Sequence, residues 1–289
     1  MLNDLDRVFL ESLDSKLYPH ASNILTKNSR SATFTNAKRE AFPRIVEQYL
    51  IFLRGNNAIV GFSDENIISR THLLNNYYNF IEQNNYHNIF TFQGKFRPTI
   101  LEEFMYMLLK DFIEEKRQLL PENKRDYLKI GTKAYTNLFF SGNDFLDFIN
   151  NPTILVNEKN QDFAIYRPFD ITINGETKQI KIPLISIENK TYLDKTMLDG
   201  AIATAEKIKS GNPYAKYFII AEDYDVRYQV DPAYSKIDQI YVLRKRKKNE
   251  PYADIYSSVF IDLVNEIDVH LNKTWGNIQH KLNNYGKII

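Results

Sequence analysis

An Asn-Gly pair at 174–175 separates two stretches that read as β-strands, residues 163–166 and 171–173 before it and 178–187 after it. Asn-Gly suits the left-handed backbone of a two-residue turn, so the pair ties both stretches into an antiparallel hairpin. The turn also sets the register: Ile173 faces Glu176 and, counting back along both strands, Asp162 faces Ile187. A helical stretch over about 195–209 follows, closed by Ser210-Gly211-Asn212-Pro213. Two apolar runs, 217–221 and 239–243, read as buried strands, and 258 to about 271 as a last helix. Hairpin, helix, strand and strand imply an α/β (α+β) fold, a mixed central sheet with flanking helices, one of them crossing over the sheet.

Residues 1 to about 95 read as a mainly helical region. Phe42, Ile45, Val46, Tyr49, Leu50 and Leu53 share one helical face, as do Leu73, Leu74, Tyr77, Tyr78 and Ile81. Gly55-Asn56-Asn57 is expected to end the first helix, and Gly94 with Pro98 to separate the region from 96–289. Pro98-Thr99 opens a helix over about 100–117, with Thr99 and Glu102 spaced as a capping box. Further helical stretches are expected over 135–140 and 143–149.

The chain contains no cysteine, which removes disulfides, thiol nucleophiles and thiolate zinc sites. Its five histidines, His20, His72, His87, His270 and His280, form no pair at metal-binding helical spacing. Any metal is therefore expected to be a hard cation held by carboxylates. A net charge of +1 neither favours a nucleic-acid coat protein nor opposes a local basic groove. No apolar run approaches the roughly 18 residues that span a bilayer. The N-terminus lacks the basic start and apolar core of a secretory signal, so the expected location is cytoplasmic.

Acid-x-Lys on a strand puts a carboxylate and an ammonium on one face. Most such triplets, here Asp14-x-Lys16, Glu114-x-Lys116, Glu122-x-Lys124 and Glu176-x-Lys178, are solvated charge. Glu188-Asn189-Lys190 differs, because it ends an apolar strand and precedes a helix, where α/β sheets place their sites. The hairpin brings Asp162 within one residue of Glu188, whereas Asp170 lies about 26 Å further along at roughly 3.3 Å per residue. A strict two-residue turn would leave Asp162 on the face opposite Glu188. A three-residue turn, or a bulge near Pro168 or Pro183, is expected to correct this parity. Such a trio suits metal-assisted phosphodiester hydrolysis, in which a divalent ion polarises the phosphate and a cation assists the attacking water. Glu102 reads as the helix cap, which leaves Glu103 as a candidate third acid for the metal.

Segments 97–109 (RPTILEEFMYMLL), 159–173, 183–223 and 237–248 resemble, in this order, type II restriction endonucleases of the BbvCI type. The resemblance implies a restriction-endonuclease core of the PD-(D/E)XK class over 96–289. It implies Mg²⁺ held by Asp162, Glu188 and the backbone carbonyl of Asn189, and Lys190 orienting or helping to deprotonate the attacking water. Gln161 stands where the class name has proline. Members of the group resemble one another in reading a CTNAG-like core.

Double-stranded DNA is the expected partner. Tyr192 and Lys195 adjoin the catalytic strand, and Arg244, Lys245 and Arg246 begin a run of five cations that could contact phosphates or be a solvated loop. Arg30, Lys38, Arg39 and Arg44 form a second cluster, of which Arg39 is the candidate DNA contact; arginine can pair with guanine, though on a helix it is usually just exposed. The helical region is expected to serve recognition or dimerisation, as a homodimer on a palindrome or a heterodimer with a related subunit. A restriction enzyme also implies a companion methyltransferase, encoded nearby and not a binding partner. A repair or recombination nuclease of the same fold and a DNA-binding module without cleavage remain the alternatives.

Overall fold

The computed structural model describes residues 2–90, 96–150, 152–173, 175–273 and 275–286. The helices are α1 (Asp4–Glu11), α2 (Pro19–Ser29), α3 (Asn36–Ala58), α4 (Asp64–Gln83), α5 (Tyr86–Ile89), α6 (Pro98–Gln118), α7 (Phe145–Asn150), α8 (Lys195–Gly211), α9 (Ser257–Asn272) and α10 (Ile278–Tyr285). The strands are β1 (Lys129–Ser141), β2 (Thr153–Ile173), β3 (Glu176–Leu193), β4 (Lys216–Tyr224) and β5 (Gln239–Val242). They form one mixed sheet in the order β1-β2-β3-β4-β5, antiparallel across β1, β2 and β3 and parallel across β3, β4 and β5. Among the described residues no helix is long and apolar enough to cross a membrane.

The continuous apolar run of β4 is buried on both faces, as an interior parallel strand requires. Tyr217, Ile219 and Ala221 pack with Leu198, Ala201, Ala205 and Ile208 of α8. Phe218 and Ile220, with Ile185 and Ile187 of β3, face the opposite layer, where α6, α9 and the N-terminal helices join one continuous core. α6 is apolar almost all round its middle turns and lies at the centre of that layer, buried at Leu101, Phe104, Met105, Leu108 and Phe112.

The hairpin has the two-residue register, Ile173↔Glu176, and Gly175 takes the left-handed φ of 81° that the turn needs. Asn174 and Gly94 lie outside the described residues. The parity correction is present: Tyr166 pairs with Pro183 but Ile165 pairs with Ile185, leaving Leu184 as the extra residue of a bulge.

Three sequence expectations are corrected. Residues 135–140 are strand, not helix, because they pair with the first half of β2 from Tyr135↔Glu158 to Phe140↔Ile154, and a distant partner outweighs the local pattern. α3 runs one residue past the expected stop at Gly55-Asn56-Asn57, to Ala58. Buried Arg70 holds its last turn by donating to the carbonyls of Asn56 (2.6 Å) and Ile59 (2.7 Å), while pairing with Asp111 at 2.8 Å. The capping box of α6 is not formed. The Thr99 hydroxyl donates to the Phe96 carbonyl at 2.9 Å and meets His20 Nδ1 at 2.9 Å, so it serves a buried imidazole instead.

Candidate active site

The candidate site lies where β2 loses both neighbours. Its pairing with β3 ends at Phe163↔Ile187. On the β1 side, Gly131 pairs with Ala164 and Lys133 with Asn160, so Gln161, Asp162 and Phe163 stand against Thr132 alone. Bulges bend a strand and re-aim side chains. Beyond the bulge β2 curls back towards β3, bringing Lys178 Nζ within 2.7 Å of the Ile154 carbonyl and Lys181 within 3.5 Å of Glu158.

The opened strands enclose a cavity of about 270 Å³ lined by Gln161, Asp162, Glu188, Lys190 and Thr204, among others. Asp162 Oδ2 accepts the backbone amide of Asn189 at 2.7 Å, filling a ladder position that no β2 carbonyl occupies. Glu188 Oε1 pairs with Lys190 Nζ at 2.6 Å, and its Oε2 accepts a hydrogen bond from the Tyr217 hydroxyl. Burial, and after it the Glu188 carboxylate, push the Tyr217 phenol far up, so that it remains a donor. Gln161 Oε1 is buried with no hydrogen-bond partner. Two carboxylates and an ammonium thus line one cavity. Paired carboxylate oxygens are the kind of ligand hard divalent cations take. Among the described residues no three acidic or histidine side chains form a metal cluster.

The sequence profile of the Bpu10I restriction endonucleases matches residues 93–253, more than half of the chain. The chain belongs to the Bpu10I restriction endonuclease family. No curated protein sequence matches it. Among solved structures, a chain of the native BbvCI A2B2 tetramer superposes with a TM-score of 0.68 at 20% identity, over 90% of this chain and 96% of that one. That likeness extends the restriction-endonuclease fold beyond the profile match and into the N-terminal helices.

Other expected site residues of this Bpu10I-family chain lie apart from the cavity. Glu103 is corrected as a metal candidate, because both its oxygens serve the helical core. Oε2 accepts the amides of His20 and Ala21, each at 2.9 Å, and Oε1 accepts the Tyr49 hydroxyl at 2.7 Å. Glu103 thereby caps α2 from a neighbouring helix, since Tyr18 at the N-cap supplies no side-chain bond. Burial raises its carboxyl to about 7 despite these donors. Arg244 is corrected as a surface DNA contact. Its guanidinium is buried against Glu222 at 3.0 Å and donates to the Ala253 carbonyl. Glu222 also pairs with Arg97 at 2.7 Å; burial pushes its carboxyl up, but the two arginines more than offset this and hold it low. Arg246 is held by Asp223 through two bonds, at 2.6 and 2.9 Å.

Lys245 keeps an exposed side chain, 3.1 Å from the Ser258 hydroxyl. Tyr192 carries Lys248 Nζ 3.4 Å from its ring centroid, and exposed Lys195 pairs with Asp199 at 2.8 Å. Arg39 is exposed near the start of α3, and Arg30 and Lys38 line a separate cavity of about 590 Å³ with Lys27. Burial, and then Lys38 and Arg30, depress the Lys27 ammonium, the sign of cations crowded together. Tyr217 and Lys27 escaped the sequence reading. A tyrosine in an apolar buried strand must find a partner for its hydroxyl, and that was the available signal for Tyr217.

Proposed function

We propose that the chain is a type II restriction endonuclease performing Mg²⁺-dependent, sequence-specific hydrolysis of phosphodiester bonds in double-stranded DNA. The observation that carries this reading is the shared cavity of Asp162, Glu188 and Lys190, at a strand opening in a family of restriction endonucleases. Asp162 and Glu188 are the proposed ion ligands, with the Asn189 carbonyl completing the set, and two carboxylates lining one cavity support a site for an oxygen-seeking cation. The ion, when bound, supplies charge stabilisation to the phosphate and a more acidic water.

The chain's own groups do the remaining work. Asn189 N–H fixes the Asp162 carboxylate, Tyr217 fixes one Glu188 oxygen, and Glu188 in turn holds the Lys190 ammonium in the cavity. Lys190 is thus placed to orient the attacking water and to offset charge growing on the phosphate oxygens. Tyr192, Lys195, Lys245 and Arg39 are proposed DNA contacts, and the N-terminal helices a recognition or dimerisation part. A CTNAG-like target and double-strand cutting by two centres, in a homodimer or a heterodimer with a related subunit, belong to the same reading.

The test is digestion of a sequenced plasmid by this chain with Mg²⁺, followed by mapping of the ends. Discrete fragments that disappear with Lys190→Ala, while DNA binding persists, are the expected result. Binding without cutting under any divalent ion would overturn the reading.

A further inference from the structure

Gly200 stands in the interior of α8, more than a turn from either end, where glycine weakens a helix relative to alanine. The usual structural reasons for that weakness are missing. Its φ is not in the left-handed region. A Cβ on Gly200 would meet no packed neighbour within 4 Å among the described residues. Gly211, at the end of the same helix, shows the contrast: a Cβ there would run into the Thr136 carbonyl oxygen. For the folded chain alone, alanine would fit at position 200 and would hold the helix better.

What distinguishes Gly200 is its place. Met197, Gly200 and Thr204 share one face of α8 and line the same cavity as Asp162, Glu188 and Lys190. Thr204 is buried, and its hydroxyl donates back to the Gly200 carbonyl at 2.9 Å, so it is turned onto the helix. Met197 is half-buried, whereas Gly200 is exposed, so between them the cavity wall is bare helix backbone. Beyond the first turn, helix amides are bonded to carbonyls four residues back, so position 200 offers an anion no free N–H. What it offers is room. Glycine is the residue that lets a main chain and a phosphate group approach closely. In the nuclease reading the group that must reach Glu188 and Lys190 is a phosphodiester flanked by two sugars, and a side chain at 200 would stand in its way.

We infer that Gly200 is a positioning residue for the strand being cut, whose sugar–phosphate backbone packs against the bare face of α8 on its way to Asp162, Glu188 and Lys190. The inference rests on the nuclease reading and adds to it a steric determinant that none of the charged groups supplies.

The test is a size series at one position of the full-length chain. Gly200→Ala and Gly200→Leu are compared with wild type in three ways: Tm, affinity for a plasmid fragment without divalent ion, and single-turnover cleavage of that fragment in Mg²⁺. Both variants are expected to melt about 1–3 °C higher, since both residues favour helix. Gly200→Leu is expected to bind the fragment about 10–100-fold more weakly, with Gly200→Ala in between, as when added carbons crowd a fitted contact. Cleavage should fall at least as far. For Gly200→Ala the Mg²⁺ concentration giving half-maximal cleavage should stay at the wild-type value, because the added methyl touches no carboxylate. Ser210→Leu, which adds similar bulk at the exposed far turn of α8, should leave binding and cleavage unchanged.

Wild-type binding and cleavage by Gly200→Leu overturn the inference, as do losses that come with a lowered Tm or are matched by Ser210→Leu. Wild type that binds the fragment and never cuts it sinks the nuclease reading, while the binding series still decides whether DNA lies against Gly200. Wild type that does not bind overturns both.

Discussion

The backbone amide of Asn189 donates to Oδ2 of Asp162 at 2.7 Å, across the point where β2 and β3 stop pairing. The carboxylate is therefore oriented by the fold before any ligand arrives. Asp162→Asn keeps an oxygen for the amide but loses the charge. It should lower single-turnover cleavage by about 10²–10⁴-fold with DNA affinity and Tm near wild type. Cleavage at the wild-type rate would remove Asp162 from the reaction.

Tyr217 is fully buried and donates to Glu188, which makes it a positioning residue in the proposed site. Tyr217→Phe should raise the Mg²⁺ concentration for half-maximal cleavage by about 10–100-fold, the usual effect of losing an outer-shell hydrogen bond. Saturating Mg²⁺ should restore most of the rate. A lower rate with unchanged metal dependence would contradict this role.

Glu103 gives a pH signature. Its folded-state carboxyl is raised to about 7 from an ordinary 4.5, so the folded chain holds this proton more tightly than the unfolded one. The resulting stabilisation is complete below about pH 4.5 and is lost as pH rises through about 7. Glu103→Gln keeps the neutral form, can still accept the two α2 amides, and can donate to Tyr49. Its Tm should fall less than that of wild type when pH is raised across this window, and it should cleave normally. A parallel Tm slope, or a loss of metal-dependent cleavage, would count against the capping role.

Arg244→Ala should behave as a stability variant. Removing one member of a buried ion pair costs about 3–5 kcal/mol, because Glu222 is left short of a partner. Chemical denaturation should show that loss, whereas the salt dependence of DNA binding should stay as it was. A shallower salt slope with wild-type stability would return Arg244 to the DNA surface.

Much of this architecture was legible because one turn carried it. Asn174-Gly175 set a register that the structure retains as far as Tyr166↔Pro183, and of the three corrections the parity argument allowed the structure takes the bulge beside Pro183. The helix over 195–209 and the strands over 217–221 and 239–243 were readable from apolar runs and a stop signal, because burial on both faces leaves such runs. β1 was not readable. Its end is apolar on consecutive residues and exposed, so it follows neither strand alternation nor helical spacing, and only its partner in β2 makes it a strand. Glu103 and Arg244 misled for a shared reason: a charged residue in a sequence is assumed wet, and these two are buried by partners far away in the chain. The link between Tyr217 and Glu188 depends on the parallel alignment of β3 with β4, which no local pattern encodes.

Leu184 works as a spacer. With it, everything downstream on β3 is phased so that Glu188 and Lys190 look towards α8; trimmed out, the same residues would be turned through half a rotation into the greasy layer below. This stretch of chain should therefore forgive changes of side chain far more readily than changes of length.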